Sequence, residues 1–162
     1  QAASAVKWAE KTMKELGADT VYLQECKVPH WVRGAKEQCK AVSKKTGKQM
    51  QLDVAALGFS TATPANGITA KVIEVKSYDE LKALGEEKIK GKIVYYNVAF
   101  NPKNIRTGTS YGETVKYRWG GSSEASKFGA LAVIVRSMRS VKDDVPHTGV
   151  MRLDTNGRQI PA

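Results

Sequence analysis

Histidine and cysteine are both scarce in this sequence, which has two of each among 162 residues. The histidines, His30 and His147, each follow a proline, and neither stands in an HxxxH, HxD or HxxE array. One zinc ion needs three or four protein ligands, and a two-metal site needs about five. Two scattered imidazoles cannot supply either set, so we expect no metal-binding and no catalytic residue within this chain.

The cysteines, Cys26 and Cys39, have neither a zinc-type spacing nor a histidine-based nucleophile pattern around them. A disulfide is compatible with the turn that Pro29 and Gly34 permit between them, and two free thiols are equally compatible. Both alternatives stay open, so the cysteines do not indicate a redox compartment.

Motifs of nucleophilic and nucleotide-dependent enzymes are also absent. No GxSxG, GxGxxG or GxxxxGK[ST] occurs, so nucleophile elbows and phosphate-binding loops are unsupported. No apolar run approaches the roughly 18 residues that a membrane span requires. The chain has neither an initiator methionine nor a visible signal peptide, and we interpret it as a piece of a longer protein.

Positive charge predominates, since 26 lysines and arginines face 16 acidic residues and the net charge is +10. The excess lies in residues 36–48, with five lysines against one glutamate, and in residues 103–142, with eight bases against two acids. This distribution is typical of a solvated face and argues against the single basic groove of a nucleic-acid-binding protein. A basic module that docks on a partner protein or a polyanionic surface is the alternative function.

The hydrophobic pattern predicts a mixed α/β fold of short strands and two or three helices. Apolar residues at helical spacing over 6–16, followed by Gly17, predict a first helix. A strand over Thr20–Val28 should follow and end at Pro29. The other predicted strands are a hairpin of Cys39–Ser43 with Gln49–Val54, a half-buried strand Ile68–Val75 after a loop over Gly58–Gly67, and two core strands over 93–99 and 129–136.

Two capping boxes predict where the later helices begin: Ser77 with Glu80, and Ser110 with Glu113. In each box the serine hydroxyl accepts from a free backbone N–H while the glutamate reaches back to the cap. The first helix should be short and end near Gly85.

The second, longer helix should end at Gly129 and join the two core strands. We therefore expect these strands to lie parallel in one sheet, connected by a right-handed crossover. The mid-helix pair Gly120-Gly121 costs about 1 kcal/mol per residue relative to alanine, which indicates close packing against a strand. The expected packing stripe is Val115, Trp119, Ser122, Ala125 and Phe128.

The loop Val145–Gly149 follows the second core strand and contains His147 between Pro146 and Thr148. Ligands of open α/β sheets tend to lie beyond the carboxyl ends of the strands. His147 is therefore a candidate donor to a substrate carboxylate. The alternative is that it only holds its loop by bonding to backbone.

Several segments of the sequence resemble known protein families. The segments Gly91–Val94 and Gly129–Val135, with a helix between them, are similar to the protease-associated (PA) domain. Four further segments resemble the plasma glutamate carboxypeptidase group of the co-catalytic zinc aminopeptidases, in the same order along nearly the whole chain. They are Val28–Gly34, Pro64–Ala70, Ser110–Arg118 and Pro146–Gly149.

The resemblance implies a PA-type domain with a mixed sheet or open β-barrel flanked by helices, containing one parallel βαβ unit. Residues 1–34 would be the opening helix and strand of a peptidase domain, and residues 35–162 the PA insert. Zinc ligands of this family follow the insert, so none is carried over to this chain. Two zinc ions are expected in the peptidase domain outside it.

The implied function is that of a non-catalytic fragment of a secreted or periplasmic zinc exopeptidase. It would cover the active-site cleft and shape the access of short peptide substrates. The pocket-facing candidates are His147, Tyr111, Tyr117 and Arg118, with Arg118 suited to a bidentate pair with a substrate carboxylate. For Tyr111 and Tyr117, packing of the helix on the sheet is the alternative. The lysine-rich segment Lys36–Lys48 departs from the family's pattern.

Overall fold

The structure is a computed structural model that describes residues 2–141, 143–152 and 158–162. The chain divides into two units, one ending at His30 and the other running from Trp31 to Ala162. The first unit contains a single helix, and the second contains all the described strands.

The first unit opens with helix α1, Ala2–Glu15, as predicted. Gly17 ends it with a φ of +84°, a conformation that glycine adopts without the clash a Cβ would cause. No residue of α1 is buried. Two of its larger apolar side chains, Trp8 and Met13, are 68% and 54% exposed.

The predicted strand over Thr20–Val28 is wrong. Residues 20–30 have no regular secondary structure, and no backbone hydrogen bond joins them to another described segment. A strand exists only where a neighbouring chain segment pairs with its N–H and C=O groups. The β-branched and aromatic residues of this segment favour a strand, but no segment among the described residues pairs with it.

The second unit begins with the predicted hairpin. Strands β1, Cys39–Val42, and β2, Gln49–Leu52, pair antiparallel with Val42 opposite Gln49. Gly47 takes a φ of +68° in the connecting turn, and its N–H donates to the carbonyl of Ser43 at 2.8 Å.

A three-stranded parallel sheet forms the rest of the framework, with its strands side by side in chain order: β3 Val72–Val75, β4 Ile93–Tyr96 and β5 Ala132–Val135. The predicted mixed α/β class and the parallel pairing of the core strands are confirmed. The sheet contains two parallel βαβ units, whereas one was predicted. In the described part of the chain the hairpin and the three-stranded sheet are separate and do not form the open barrel that was one of the two predicted arrangements. Helix α2, Tyr78–Ile89, connects β3 to β4, and helix α3, Thr107–Ser126, connects β4 to β5.

The hydrophobic core lies between this sheet and its two crossover helices. Val75, Val94 and Tyr96 are wholly buried on the sheet face that meets the helices. Leu81 and Ile89 of α2 close that face. Both crossover helices cover the same side of the sheet, so together they bury one apolar face of it.

The first capping box is confirmed with one change. The Ser77 hydroxyl accepts from the N–H of Glu80 at 3.0 Å, and the Glu80 carboxylate accepts from the N–H of Lys76 at 2.7 Å, one residue before the expected donor. Gly85 interrupts α2 with a φ of 61°, and a short continuation ends at Ile89.

The second capping box is wrong. Helix α3 begins at Thr107 after Arg106, which makes no side-chain cap bond, and Ser110 lies inside the helix and is buried. Its hydroxyl donates to the carbonyl of Asn101 at 2.8 Å and accepts from the side-chain amide of Asn104 at 2.9 Å. The serine thus holds the preceding loop instead of the helix terminus.

The buried face of α3 also differs from the predicted stripe. Ser122 and Ala125 belong to it, whereas Trp119 is 52% exposed. The buried positions are Ser110, Thr114, Tyr117, Gly121, Ser122 and Ala125. Most of these residues are small, and at Gly121 the missing side chain leaves room for the ring of Tyr96 on β4.

Gly121 packs directly against the side chain of Tyr96 on β4, the close packing against a strand that the paired glycines predicted. A Cβ on Gly121 would lie 2.7 Å from Cε2 of Tyr96. The Tyr96 hydroxyl donates to the carbonyl of Gly121 at 3.0 Å, so the ring spans the gap and its polar end is satisfied. Burial raises the pKa of Tyr96, which stays neutral.

The variant Gly121→Ala should lower the free energy of unfolding by about 1–3 kcal/mol, because the methyl group overlaps the Tyr96 ring. Gly112→Ala is the matched control on the same helix, since a Cβ there meets nothing within 4 Å. It should be neutral or stabilising by up to about 1 kcal/mol. Urea unfolding of both variants measures the difference, and equal effects would contradict the close approach.

Candidate functional site

Helix α3 places two of the predicted site residues on one face. Tyr111 and Arg118 are seven residues apart, which is two helical turns and brings their side chains together. Nη2 of Arg118 donates to the Tyr111 hydroxyl at 2.7 Å, and Cζ lies 5.5 Å from the centroid of the Tyr111 ring. The tyrosine therefore both bonds and stacks on the guanidinium.

Gly149 packs against the same guanidinium. A Cβ at Gly149 would lie 2.7 Å from both Cζ and Nη1 of Arg118, so a larger residue here would displace the guanidinium from this position. Nε of Arg118 is buried and has no hydrogen-bond partner in the described part of the chain. Nη1 and Nη2 carry two hydrogens each, and Tyr111 uses one of those on Nη2, so the remaining ones can pair with a carboxylate.

His147 lies beside this pair on the loop that follows β5. Its ring centroid is 6.5 Å from that of Tyr111, and its side chain is exposed. Its backbone N–H donates to the Ser137 hydroxyl at 3.1 Å. The structure thus brings together three of the four sequence-predicted residues: Tyr111, Arg118 and His147.

Tyr117 lies elsewhere. It is only 4% exposed and packs against Tyr78 and Tyr96, with ring centroids 4.9 and 5.4 Å away. Tyr117 therefore packs the helix on the sheet, which was the alternative to a place in the pocket. Its side chain points about 100° away from that of Arg118, as adjacent positions on a helix do. Lys116 covers the outer side of this cluster, with its Nζ 5.1 Å from the Tyr117 ring.

A short backbone ladder holds the loop that carries His147. The N–H of Gly58 donates to the carbonyl of Gly149 at 2.8 Å, and the N–H of Met151 donates to the carbonyl of Gly58 at 3.0 Å. The Thr148 hydroxyl donates to the carbonyl of Ala56 at 3.1 Å. Sequence analysis assigned residues 58–67 to a loop without finding this contact, because it joins segments about 90 residues apart.

Ala56 is fixed in turn by an ion pair. The Glu37 carboxylate accepts from the N–H of Ala56 at 2.9 Å and pairs with Arg33, whose guanidinium also donates to the carbonyl of Ala56 at 2.8 Å. The backbone N–H of Ala56, followed by the pairing with Arg33, holds the pKa of Glu37 below its usual value. These residues were missed by sequence analysis, since nothing local marks a glutamate that bonds 19 residues away.

Ser60 joins the two ends of the second unit. Its carbonyl accepts from Nε1 of Trp31 at 3.0 Å, and its hydroxyl accepts from the N–H of Ala162 at 2.9 Å. The final residues are bound to the core as well, because the carbonyl of Pro161 accepts from the N–H of Val133 at 2.8 Å. The incoming and outgoing segments therefore meet at one residue.

The site is cationic. No carboxylate of the described residues lies within ion-pair distance of Arg118.

Over residues 2–141, 143–152 and 158–162, no group of three histidine, cysteine or acidic residues is arranged to hold a metal ion. Cys26 and Cys39 are both free thiols. None of the described helices combines the length and apolar character needed to cross a membrane.

Comparison with known proteins identifies relatives along nearly the whole chain. Carboxypeptidase Q of Xenopus laevis is 39% identical over 158 residues, which are 98% of this chain and 31% of the relative. Carboxypeptidase Q of Bos taurus is 36% identical over 157 residues, or 97% of this chain and 30% of the relative. These relatives confirm the predicted resemblance, since plasma glutamate carboxypeptidase is another name for carboxypeptidase Q.

A solved structure agrees with this result. The crystal structure of a peptidase M28 precursor from Shewanella amazonensis matches 98% of this chain and 35% of its own length, with 32% identity and a TM-score of 0.81. The chain thus spans about a third of the length of the proteins it matches. No family model matches it.

Glu37→Gln keeps an acceptor for the N–H of Ala56 and removes the charge. Because the folded-state pKa of Glu37 is lowered, the carboxylate stabilises the fold above its unfolded pKa, and this contribution is lost as the pH falls through the folded-state pKa. The variant should therefore be less stable than the parent by about 1 kcal/mol at pH 7, and the difference should be smaller at pH 3. Urea unfolding at both pH values measures this, and a pH-independent difference would contradict the assignment.

Proposed function

We propose that this chain is the PA-type accessory region of a secreted or periplasmic zinc exopeptidase of the carboxypeptidase Q type. One observation carries the proposal: at least 97% of the chain matches relatives named carboxypeptidase Q, yet it accounts for only about a third of their length. The hydrolysis of short peptides would be performed by the remaining part of such a protein. Two zinc ions held there would supply a metal-activated water as the nucleophile.

The arrangement of the second unit supports an inserted domain. Its incoming segment at Trp31 and its outgoing segment at Ala162 both bond to Ser60. A domain with adjacent ends can be inserted into another domain with little disturbance of the host. We propose that residues 1–34 belong to the host and residues 35–162 to the insert, and the division after His30 lies near this boundary.

The cluster of Arg118, Tyr111 and His147 gives the insert a role in substrate access. Its guanidinium has no acidic partner among the described residues and is positioned by Tyr111 and Gly149. A peptide substrate always carries at least one carboxylate, which the remaining hydrogens on Nη1 and Nη2 can pair with. His147 lies on the adjoining loop and can donate to the same ligand. We therefore assign the cluster to substrate positioning, with no role in the chemical step.

The first test compares the 162-residue chain with the chain extended beyond Ala162 as far as the relatives extend. Both are assayed against a panel of dipeptides with added zinc. We expect hydrolysis by the extended protein alone, since the nucleophile and its metal ions belong to the part outside this chain. Hydrolysis by the 162-residue chain would overturn the accessory role and would make His30 and His147 the first residues to mutate.

The second test changes Arg118 in the extended protein. Arg118→Ala should lower kcat/KM by about 10- to 100-fold, mainly through KM, since a charge-assisted pair with the substrate is lost. Arg118→Lys should recover only part of this, because lysine cannot form the two-bond pair.

The matched control is Lys127→Ala, which removes an exposed positive charge from the residue that follows the same helix. It should leave kcat/KM unchanged. Unchanged kinetics in Arg118→Ala, with the fold intact by circular dichroism, would remove the cluster from the substrate path while leaving the family relationship untouched.

A further inference from the structure

The carbonyl of Ala56 is the point where two distant side chains meet. It accepts from Nη2 of Arg33 at 2.8 Å and from the hydroxyl of Thr148 at 3.1 Å. A backbone carbonyl has two lone pairs, and these two donors use both of them. Arg33 lies in Val28–Gly34 and Thr148 in Pro146–Gly149, two of the four segments that resemble the carboxypeptidase Q group. The structure thus joins two of these segments at one atom.

The side chain of Arg33 is held by two further contacts. Nη1 pairs with the carboxylate of Glu37, which itself accepts from the N–H of Ala56. The guanidinium carbon lies 5.1 Å from the centroid of the Trp31 ring, within the range of a cation–π contact. Arg33 and Glu37 together therefore hold both backbone polar groups of Ala56, and the direction of Nη2 is fixed.

Thr148 connects this carbonyl to the candidate site. It lies between His147, whose ring is beside that of Tyr111, and Gly149, which packs on the guanidinium of Arg118. Among the residues that the structure describes, none forms a hydrogen bond with the imidazole of His147; only its backbone N–H is bonded. The position of the ring therefore depends on the backbone of its loop, which the Thr148 hydroxyl helps to hold.

The backbone of residues 56–60 is held from both sides. Phe59 has a φ of +70°, a value in the left-handed region that no other non-glycine residue of the described chain adopts. A residue with a Cβ takes this conformation rarely, and it persists where surrounding contacts enforce it. The N–H and C=O of Gly58 are both bonded to the segment 149–151, and the carbonyl and hydroxyl of Ser60 are bonded to the two ends of the unit. These contacts leave little freedom between the ends of the unit and the site.

We propose that Arg33 is a positioning residue for the candidate site, acting through the carbonyl of Ala56 on Thr148 and hence on His147. This inference rests on the proposed function, because the group that Arg33 positions belongs to the substrate cluster. It adds a role for the segment that enters the insert. The second unit begins at Trp31, so a change in how the host domain holds this segment would reach His147. Arg33 itself contacts neither the substrate nor the reacting atoms.

The first test measures amide hydrogen exchange in the 162-residue chain by NMR. Arg33→Ala should speed exchange at the N–H groups of Gly58 and Met151 by about fivefold, the factor that corresponds to one hydrogen bond. The N–H of Asn97, which donates to the carbonyl of Val75 at 3.0 Å in the sheet, is the internal reference. Its exchange should be unchanged, because a general loss of stability would affect the sheet as well.

The same spectra follow the imidazole of His147, whose ring signals His147→Gln identifies. Arg33→Ala should shift these signals. The matched control is Lys36→Ala, which removes an exposed positive charge three residues along the same segment. Lys36 has no ion pair among the described residues. This control should leave the His147 signals in place, which separates the bond to Ala56 from a loss of charge.

The second test measures the kinetics of the extended protein. Arg33→Ala should raise KM for a dipeptide by about 3- to 10-fold and change kcat by less than about twofold, since a displaced His147 weakens binding without altering the reacting atoms. Thr148→Val should act similarly, and Thr148→Ser, which keeps the hydroxyl donor, should restore the parent KM. The double variant Arg33→Ala, Thr148→Val should be no worse than the worse single variant, because both changes act on one carbonyl.

Two results would overturn the proposal. Unchanged exchange and unchanged His147 signals in Arg33→Ala would mean that the bonds of Gly58 hold the loop without Arg33. Fully additive effects of Arg33→Ala and Thr148→Val on KM would mean that the two residues act independently.

A different result would contradict the proposed function alone. Shifted His147 signals with unchanged kinetics would confirm that Arg33 positions His147 and would remove the cluster from the substrate path. Circular dichroism verifies the fold of each variant. If Arg33→Ala fails to fold, Thr148→Val and Thr148→Ser test the same carbonyl from the other side, and equal His147 signals and equal KM values in these two variants would contradict the proposal.

Discussion

The contact between Gly121 and the ring of Tyr96 determines how closely helix α3 lies on the sheet. A helix normally stands off a sheet by the length of its interfacial side chains, and at Gly121 that side chain is absent. The Tyr96 ring fills the space and donates its hydroxyl proton to the carbonyl of Gly121. Ser122, the next residue, donates from its hydroxyl to the carbonyl of Ile160, which binds the end of the chain to the same helix.

The position of the candidate site follows from this contact. With the buried face of α3 placed against β4, Tyr111 and Arg118 lie at the margin of that face, where Tyr111 is exposed and Arg118 is half-buried. The other side of the site comes from the segment 147–149, which is held by Ala56 and Gly58. Two separate parts of the unit thus meet at the guanidinium of Arg118, and Gly149 leaves the space that it occupies.

The elements that sequence analysis predicted correctly are those with a local cause. The Ser77 cap, the turn at Gly47 and the helix end at Gly17 each depend on residues within four positions of one another. The incorrect predictions depend instead on contacts with residues further along the chain. Ser110 has the same local pattern as Ser77, yet a buried contact with Asn101 uses its hydroxyl. The segment over Thr20–Val28 has the composition of a strand and no strand beside it among the described residues.

The candidate site shows the same division between local and long-range causes. Its residue types and the resemblance to the carboxypeptidase Q group came from the sequence, as did the mixed α/β class and the parallel pairing of the core strands. Only the tertiary structure separated Tyr117, which is buried against Tyr78 and Tyr96, from Arg118, which faces Tyr111 and Gly149. The physical reason is that periodicity specifies which residues share a face of a helix, whereas the packing of distant segments decides which face is buried.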